Sequence, residues 1–110
     1  MNCKPGKLVG IPFPYTDLTT KKRRPVLVMT APDQRGDFIG VAVTSAQTEE
    51  SAVAINKESM TVGQLPKQSW VRCDKIFTLS ETLAVRDYGT LSDDVFQKVK
   101  RVLCVYLGCP

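Results

Sequence analysis

Histidine is absent from the chain. Without an imidazole, Ser-His and Cys-His nucleophilic mechanisms are excluded, and so is acid–base catalysis by histidine. The four cysteines, Cys3, Cys73, Cys104 and Cys109, include no Cys-x-x-Cys pair. Structural zinc sites use such pairs or Cys with His, so the sequence argues against one, and no cofactor or metal is expected. No apolar run approaches the roughly 20 residues needed to cross a bilayer. The opening Met-Asn-Cys-Lys-Pro-Gly-Lys lacks the apolar centre of a signal peptide. A cytoplasmic protein without membrane contact is expected. Its cysteines read as free thiols, with Cys73 in a strand and Cys104 in a helix. Repeats and low-complexity segments are also missing. At 110 residues and 43% hydrophobic content, the chain is a single domain, 1–110, with enough apolar material for one core.

Positive charge is present in modest excess. The net charge is +4, and residues 1–24 carry Lys4, Lys7, Lys21, Lys22, Arg23 and Arg24 against Asp17 alone. A positive face of this kind suits a polyanion such as nucleic acid. The cations at 21–24 run directly into the apolar stretch Pro25-Val26-Leu27-Val28-Met29-Thr30, which reads as a buried strand. Adjacent like charges resist burial, so the basic half reads as a loop. Most such runs are merely solvated. Pro25, however, biases Arg24 to an extended backbone, and a cation fixed at the end of a rigid strand is a well-placed anion ligand.

Strands are expected at 8–12, 25–30, 38–45, 52–56 and 68–75, with an extended return at 84–91. Pro12-Phe13-Pro14 closes the first, and loops fill 15–22 and 61–66. In the third, Gly40, Ala42 and Thr44 share the face opposite Ile39, Val41 and Val43. A short helical turn at 79–83 has Ser80 as cap. Ser92, followed by Asp93 and Asp94, starts a last helix that stops at Gly108. Val95, Val99, Val102, Leu103 and Tyr106 form its apolar stripe. Several short strands and one helix make a mainly β fold: a small, strongly bent sheet or partly open barrel with the helix packed on it.

Arg72 and Asp74 are two apart on one strand, roughly 6.5–7 Å between Cα atoms, and point the same way. Taken alone they read as an exposed ion pair worth about 0–1 kcal/mol, and Thr44 as an ordinary strand residue. Together, Arg24, Thr44, Arg72 and Asp74 offer two fixed cations, a hydroxyl and a carboxylate. That set suits a phosphodiester, because arginine forks fit phosphate oxygens and stabilise charge growing on phosphorus. RNA would bring its own nucleophile, the 2′-hydroxyl.

Three blocks, Pro12-Phe13-Pro14-Tyr15-Thr16-Asp17, Arg24-Pro25-Val26-Leu27-Val28 and Val41-Ala42-Val43-Thr44-Ser45, resemble successive segments of the MazF/PemK toxins. Val71-Arg72-Cys73-Asp74 is similar to a strand of the PemK/Kid branch, and Gly89-Thr90-Leu91-Ser92-Asp93 to the lead-in of the family's last helix. The ordered set spans nearly the whole chain. The resemblance implies an SH3-like small open barrel of the CcdB/MazF/PemK type. It also implies a homodimeric, metal-independent endoribonuclease of a type II toxin–antitoxin system. Such a toxin cuts single-stranded RNA, including mRNA, at short sequences. Its partner would be an acidic antitoxin protein, with DNA bound only through the antitoxin complex. By the same resemblance Arg24 and Thr44 match catalytic positions, and Arg72 with Asp74 a proposed acid/base pair. Lys21, Lys22, Arg23, Ser45, Tyr15 and Lys75 are assigned to RNA binding. Three departures stand out. Gly6-Lys7-Leu8-Val9 replaces a Gly-Asp-Ile-Val opening, the early loop has no histidine, and Lys75-Ile76-Phe77-Thr78 replaces Gln-Ile-Arg-Thr. The last two bear on RNA-base contacts.

In the expected mechanism Asp74 is the general base, provided burial raises its pKa. Arg24 steadies the phosphorane, Thr44 binds a phosphate oxygen or orients the attacking hydroxyl, and Arg72 orients Asp74 or assists the leaving oxygen. Two alternatives share the fold: a non-catalytic nucleic-acid-binding module using Tyr15 or Trp70 for stacking, and a CcdB-like gyrase poison centred on the last helix. A binding module needs cations but no fixed hydroxyl or carboxylate, so Arg24 with Thr44 favours the ribonuclease.

Overall fold

The computed structural model describes residues 2–14 and 21–110. Seven strands form one antiparallel sheet that curls into a half-barrel, in the order β4-β6-β3-β2-β1-β7-β5. They are β1 Lys7–Pro14, β2 Lys21–Val28, β3 Asp37–Thr44, β4 Ala52–Ile55, β5 Met60–Gly63, β6 Ser69–Ser80 and β7 Arg86–Leu91. One helix, α1 Asp93–Leu107, follows and packs over β6 and β4. The mainly β fold with a C-terminal helix is therefore as expected.

The central strands β1 and β2 are buried on both faces, which explains their continuous apolar runs. Leu8, Leu27, Val41, Val43, Val71 and Cys73 face the helix residues Phe96 and Val99. Their neighbours Val9, Val26 and Val28 point the other way, into a second cluster with Ile11, Phe38, Leu79 and Cys3. Alternation along each strand thus feeds two cores from one sheet. Cys3 and Cys73 are buried free thiols, and Cys104 lies in α1.

Several boundaries differ from expectation. The basic run is strand rather than loop, with Arg23 opposite Pro12 and Arg24 opposite Ile11. Alternation separates the side chains of adjacent strand residues, so neighbouring cations need not be stacked on one face. β1 continues through Pro14 instead of ending earlier. The segment expected as a loop contains β5, which pairs with β7 across a close contact of Gly63 with Gly89. β6 runs on to Ser80, but its pairing with β3 jumps from Arg72 opposite Ala42 to Ile76 opposite Val41. This bulge holds Cys73, Asp74 and Lys75, and it breaks the simple two-face reading of the strand. Ser80 caps a short 3-10 turn at Glu81–Leu83, close to the expected place.

Local signals fix α1 well. The Ser92 hydroxyl accepts from the Val95 N–H, Asp93 and Asp94 occupy the first turn, and Gly108 ends the helix at φ 77°. Its buried anchors are Phe96 and Val99, with Val95, Val102 and Leu103 packed alongside. Tyr106, expected on the buried stripe, is 49% exposed, because the last turn projects beyond the core. No described helix is long and apolar enough to cross a membrane.

Candidate active site

The β2–β3 ladder pairs Val26 with Ala42 and Leu27 with Val41. Carried two residues further, this register sets Arg24 opposite Thr44. Pro25, which has no N–H to donate, marks where the ladder stops. On the other side of β3, Thr44 pairs with Trp70 and Ala42 with Arg72. Val26, Ala42 and Arg72 therefore form one row across three adjacent strands, and Thr44 and Trp70 the next across two.

Arg24 and Thr44 line one cleft of about 480 Å³, together with Arg23, Ser45, Lys67, Ser69 and Tyr88. Its described lining carries three cations and no carboxylate. Arg24 is partly buried and Arg23 exposed, so the first is placed by the sheet and the second reaches out. Arg24 is thus held within a strand, not at the end of one as expected. The Thr44 hydroxyl accepts from the Ala46 N–H at 3.1 Å. That bond orients the oxygen and leaves its own proton to donate. Ser69 donates to the Lys67 carbonyl at 3.0 Å, which ties down the loop carrying Lys67.

Arg72 and Asp74 do not line this cleft. They line a neighbouring pocket of about 350 Å³ with Thr48, Glu50, Ser51 and Tyr106. Arg72 grips Asp74 in a fork: Nε donates to Oδ1 at 3.1 Å and Nη2 to Oδ2 at 2.6 Å. Both side chains are partly buried, at 32% and 26% exposure. The hydrogen bond from Arg72 holds the Asp74 carboxyl below its usual range, against the opposing effect of burial. The condition attached to a general-base role for Asp74, a pKa raised by burial, is therefore not met. The two sites are nevertheless adjacent. Arg72 and Thr44 are diagonal neighbours across β3 and β6, a relation with Cα atoms roughly 7–8 Å apart.

Among the other assigned residues, Ser45 and Arg23 reach the Arg24 cleft, and Lys75 is exposed in the β6 bulge. Tyr15 lies outside the described residues, as do the side chains of Lys21 and Lys22. Sequence reasoning missed Lys67 and Tyr88. Lys67 follows Pro66, the mirror of the Arg24-Pro25 pairing of a cation with a rigid neighbour, and that was its available signal. Among the described residues no three His, Cys, Asp or Glu side chains gather as a metal site.

A cationic cleft with an oriented hydroxyl on this curled sheet accords with a match to a known family. The family model for PemK-like, MazF-like toxins of type II toxin–antitoxin systems covers residues 4–107. The chain belongs to this family. No curated protein sequence matches it. Solved PemK/MazF-type structures share its fold at low identity. An endoribonuclease in complex with its cognate antitoxin from a mycobacterial species superposes at TM-score 0.76, with 20% identity over 97% of this chain and 96% of that one. MazE–MazF from Deinococcus radiodurans gives TM-score 0.76 and 21% identity, covering 100% and 99%. The Mycobacterium tuberculosis toxin MazF-mt6 gives 0.73 and 17%, covering 94% and 98%.

Proposed function

We propose that this toxin-family chain is an endoribonuclease that cuts single-stranded RNA, mRNA included, at short sequences and without a metal. The reading rests on one observation above others: Arg24 and Thr44 share a cleft whose described lining is cationic and free of carboxylates. Such a cleft attracts a phosphodiester and repels little of it. In the reaction the 2′-hydroxyl gives its proton to solvent as its oxygen attacks the adjacent phosphorus, and the leaving 5′-oxygen takes a proton from water. The bond to the 5′-oxygen breaks, leaving a 2′,3′-cyclic phosphate and a 5′-hydroxyl. Arg24 steadies the charge that grows on the phosphorane oxygens. Thr44 donates its hydroxyl proton to one of those oxygens. Arg23, Ser45 and Lys67 hold the flanking backbone, with Lys21, Lys22, Tyr15 and Lys75 as further RNA contacts.

Asp74 enters in a changed role. Its carboxylate stays ionised, so it is a weak base but a firm anchor for Arg72. The anchored guanidinium keeps unshared N–H groups that can turn to the leaving 5′-oxygen one step along the sheet.

The assembled protein would be a homodimer neutralised by an acidic antitoxin that competes for the same cationic cleft. DNA would be bound only through that toxin–antitoxin complex. A homodimer is in keeping with exposed apolar side chains such as Val62 and Val85.

The test is incubation of the purified protein with mixed-sequence single-stranded RNA in excess EDTA. Cleavage to cyclic-phosphate ends is expected, and a substrate with 2′-deoxyribose at the scissile position should remain whole. Cutting of the deoxy substrate, or loss of activity in EDTA, would overturn the mechanism. Tight RNA binding without cleavage would point to a binding module.

A further inference from the structure

Two cysteines meet where α1 folds back on itself. Gly108 stops the helix in the left-handed region, its N–H donating to the Val105 carbonyl at 3.1 Å. The Cys109 N–H donates to the Cys104 carbonyl at 2.8 Å. These are the two crossed bonds of a Schellman motif, in which the residue after the glycine packs back onto the residue five positions earlier. That contact is ordinarily between two apolar side chains. Here both are cysteines, so the crossed backbone bonds bring the two side chains to the same end of the helix. Both are exposed, whereas Cys3 and Cys73 are buried.

The two differ in position: Cys104 lies in the last turns of α1, and Cys109 lies beyond the glycine that ends it. The neighbouring Cys104 raises the Cys109 thiol above its ordinary pKa.

We infer that Cys104 and Cys109 form a redox modification site, a dithiol that a hydroperoxide converts to an intramolecular disulfide across the end of α1. The Cys104 sulfur attacks the terminal peroxide oxygen; the S–O bond forms, the O–O bond breaks, and the departing oxygen takes the thiol proton, giving a sulfenic acid and water or an alcohol. The Cys109 sulfur then attacks the Cys104 sulfur. The S–S bond forms, the S–O bond breaks, and the departing hydroxide takes the Cys109 proton to leave as water. Two electrons pass from the sulfurs to the peroxide, and a dithiol reductant reverses the change. Tyr106 lies between the two cysteines in sequence and lines the Arg72–Asp74 pocket. The disulfide therefore fastens the helical turn beside that pocket. None of this depends on the RNA-cleavage reading.

The experiment uses the full chain and hydrogen peroxide. After oxidation, alkylation and trypsin, the peptide beginning at Val102 carries both cysteines. It should have lost two hydrogens and resist alkylation, and dithiothreitol should restore it. In Cys109→Ser the sulfenic acid on Cys104 has no resolving thiol, so dimedone should trap it. This variant alters an exposed position, and a thermal melt confirms that it folds. Wild-type protein whose Cys104 and Cys109 are both still alkylated after peroxide would overturn the inference. So would dimedone capture without a disulfide in the wild type, or a disulfide formed only between copies.

Discussion

Arg72 binds both carboxylate oxygens of Asp74 through two different nitrogens, so the charge of Asp74 is committed to its neighbour in the bulge of β6. Lowering of the Asp74 pKa by this fork has a pH consequence. Its stabilising contribution is present above the unfolded carboxylate value near 3.9 and is lost as pH falls through the lower folded value. Activity should therefore show no titration of Asp74 between pH 7 and about 4. Asp74→Asn should lower the cleavage rate about 10²-fold by misplacing Arg72, with KM little changed. A rate profile with an acid limb near pH 6 that vanishes in Asp74→Asn would restore the general-base role.

Burial pushes the Cys73 thiol up to about 11, from an ordinary 9.0. A raised folded pKa means that its contribution is complete below the unfolded value and disappears as pH rises through the folded one. Urea titrations between pH 8 and 11 should show wild-type stability falling through this window. Cys73→Ala should start lower at neutral pH, by about 1 kcal/mol, and fall less steeply. Parallel pH profiles for the two proteins would remove Cys73 from the alkaline limb.

Gly89 has φ 121°, and a Cβ there would strike the Val62 carbonyl oxygen and lie 2.7 Å from the Gly63 Cα. Gly89→Ala should cost about 1–3 kcal/mol from backbone strain alone, with further loss as β5 is pushed off β7. Hydrogen exchange should show β5 losing protection first. An unchanged melting temperature would mean that the two strands are not so closely apposed.

What was legible followed from local chemistry. Ser92, Asp93 and Gly108 mark α1 in the sequence because caps act within a single turn. The alternation in β3 is legible because the large Ile39, Val41 and Val43 alternate with the small Gly40, Ala42 and Thr44. β5 was hidden because its four residues carry no period, and its partner lies across a long chain separation. The basic run forms a strand because alternation turns adjacent side chains to opposite faces, a geometry that charge along the chain does not reveal. Arg24 and Thr44 stand out in the sequence only as members of a set, and their meeting in one cleft is a matter of strand register. The placement of Arg72 and Asp74 in a separate pocket depends on a bulge that no residue pattern announced. The fork that lowers the Asp74 pKa likewise required the side-chain geometry.

RNA affinity should fall steeply with salt, because bound cations release counterions from the strand. Replacing both Arg23 and Lys67 by Ser should flatten the slope of log K against log salt by about 1.4, at roughly 0.7 per lost phosphate contact. Fluorescence anisotropy with an uncleavable 2′-deoxy strand measures this directly. An unchanged slope would move the RNA footprint off the Arg24 cleft.

The central claim is that Arg24, opposite Thr44, stabilises the transition state of RNA cleavage. Its most direct test is the single-turnover cleavage rate of Arg24→Ala on single-stranded RNA at saturating enzyme, in EDTA, with folding confirmed by circular dichroism. Losing one such charge-stabilising contact typically costs about 10²–10³ in rate, and a fall of that size with the fold intact is the predicted result. A folded Arg24→Ala protein that cuts RNA at the wild-type rate would contradict the account.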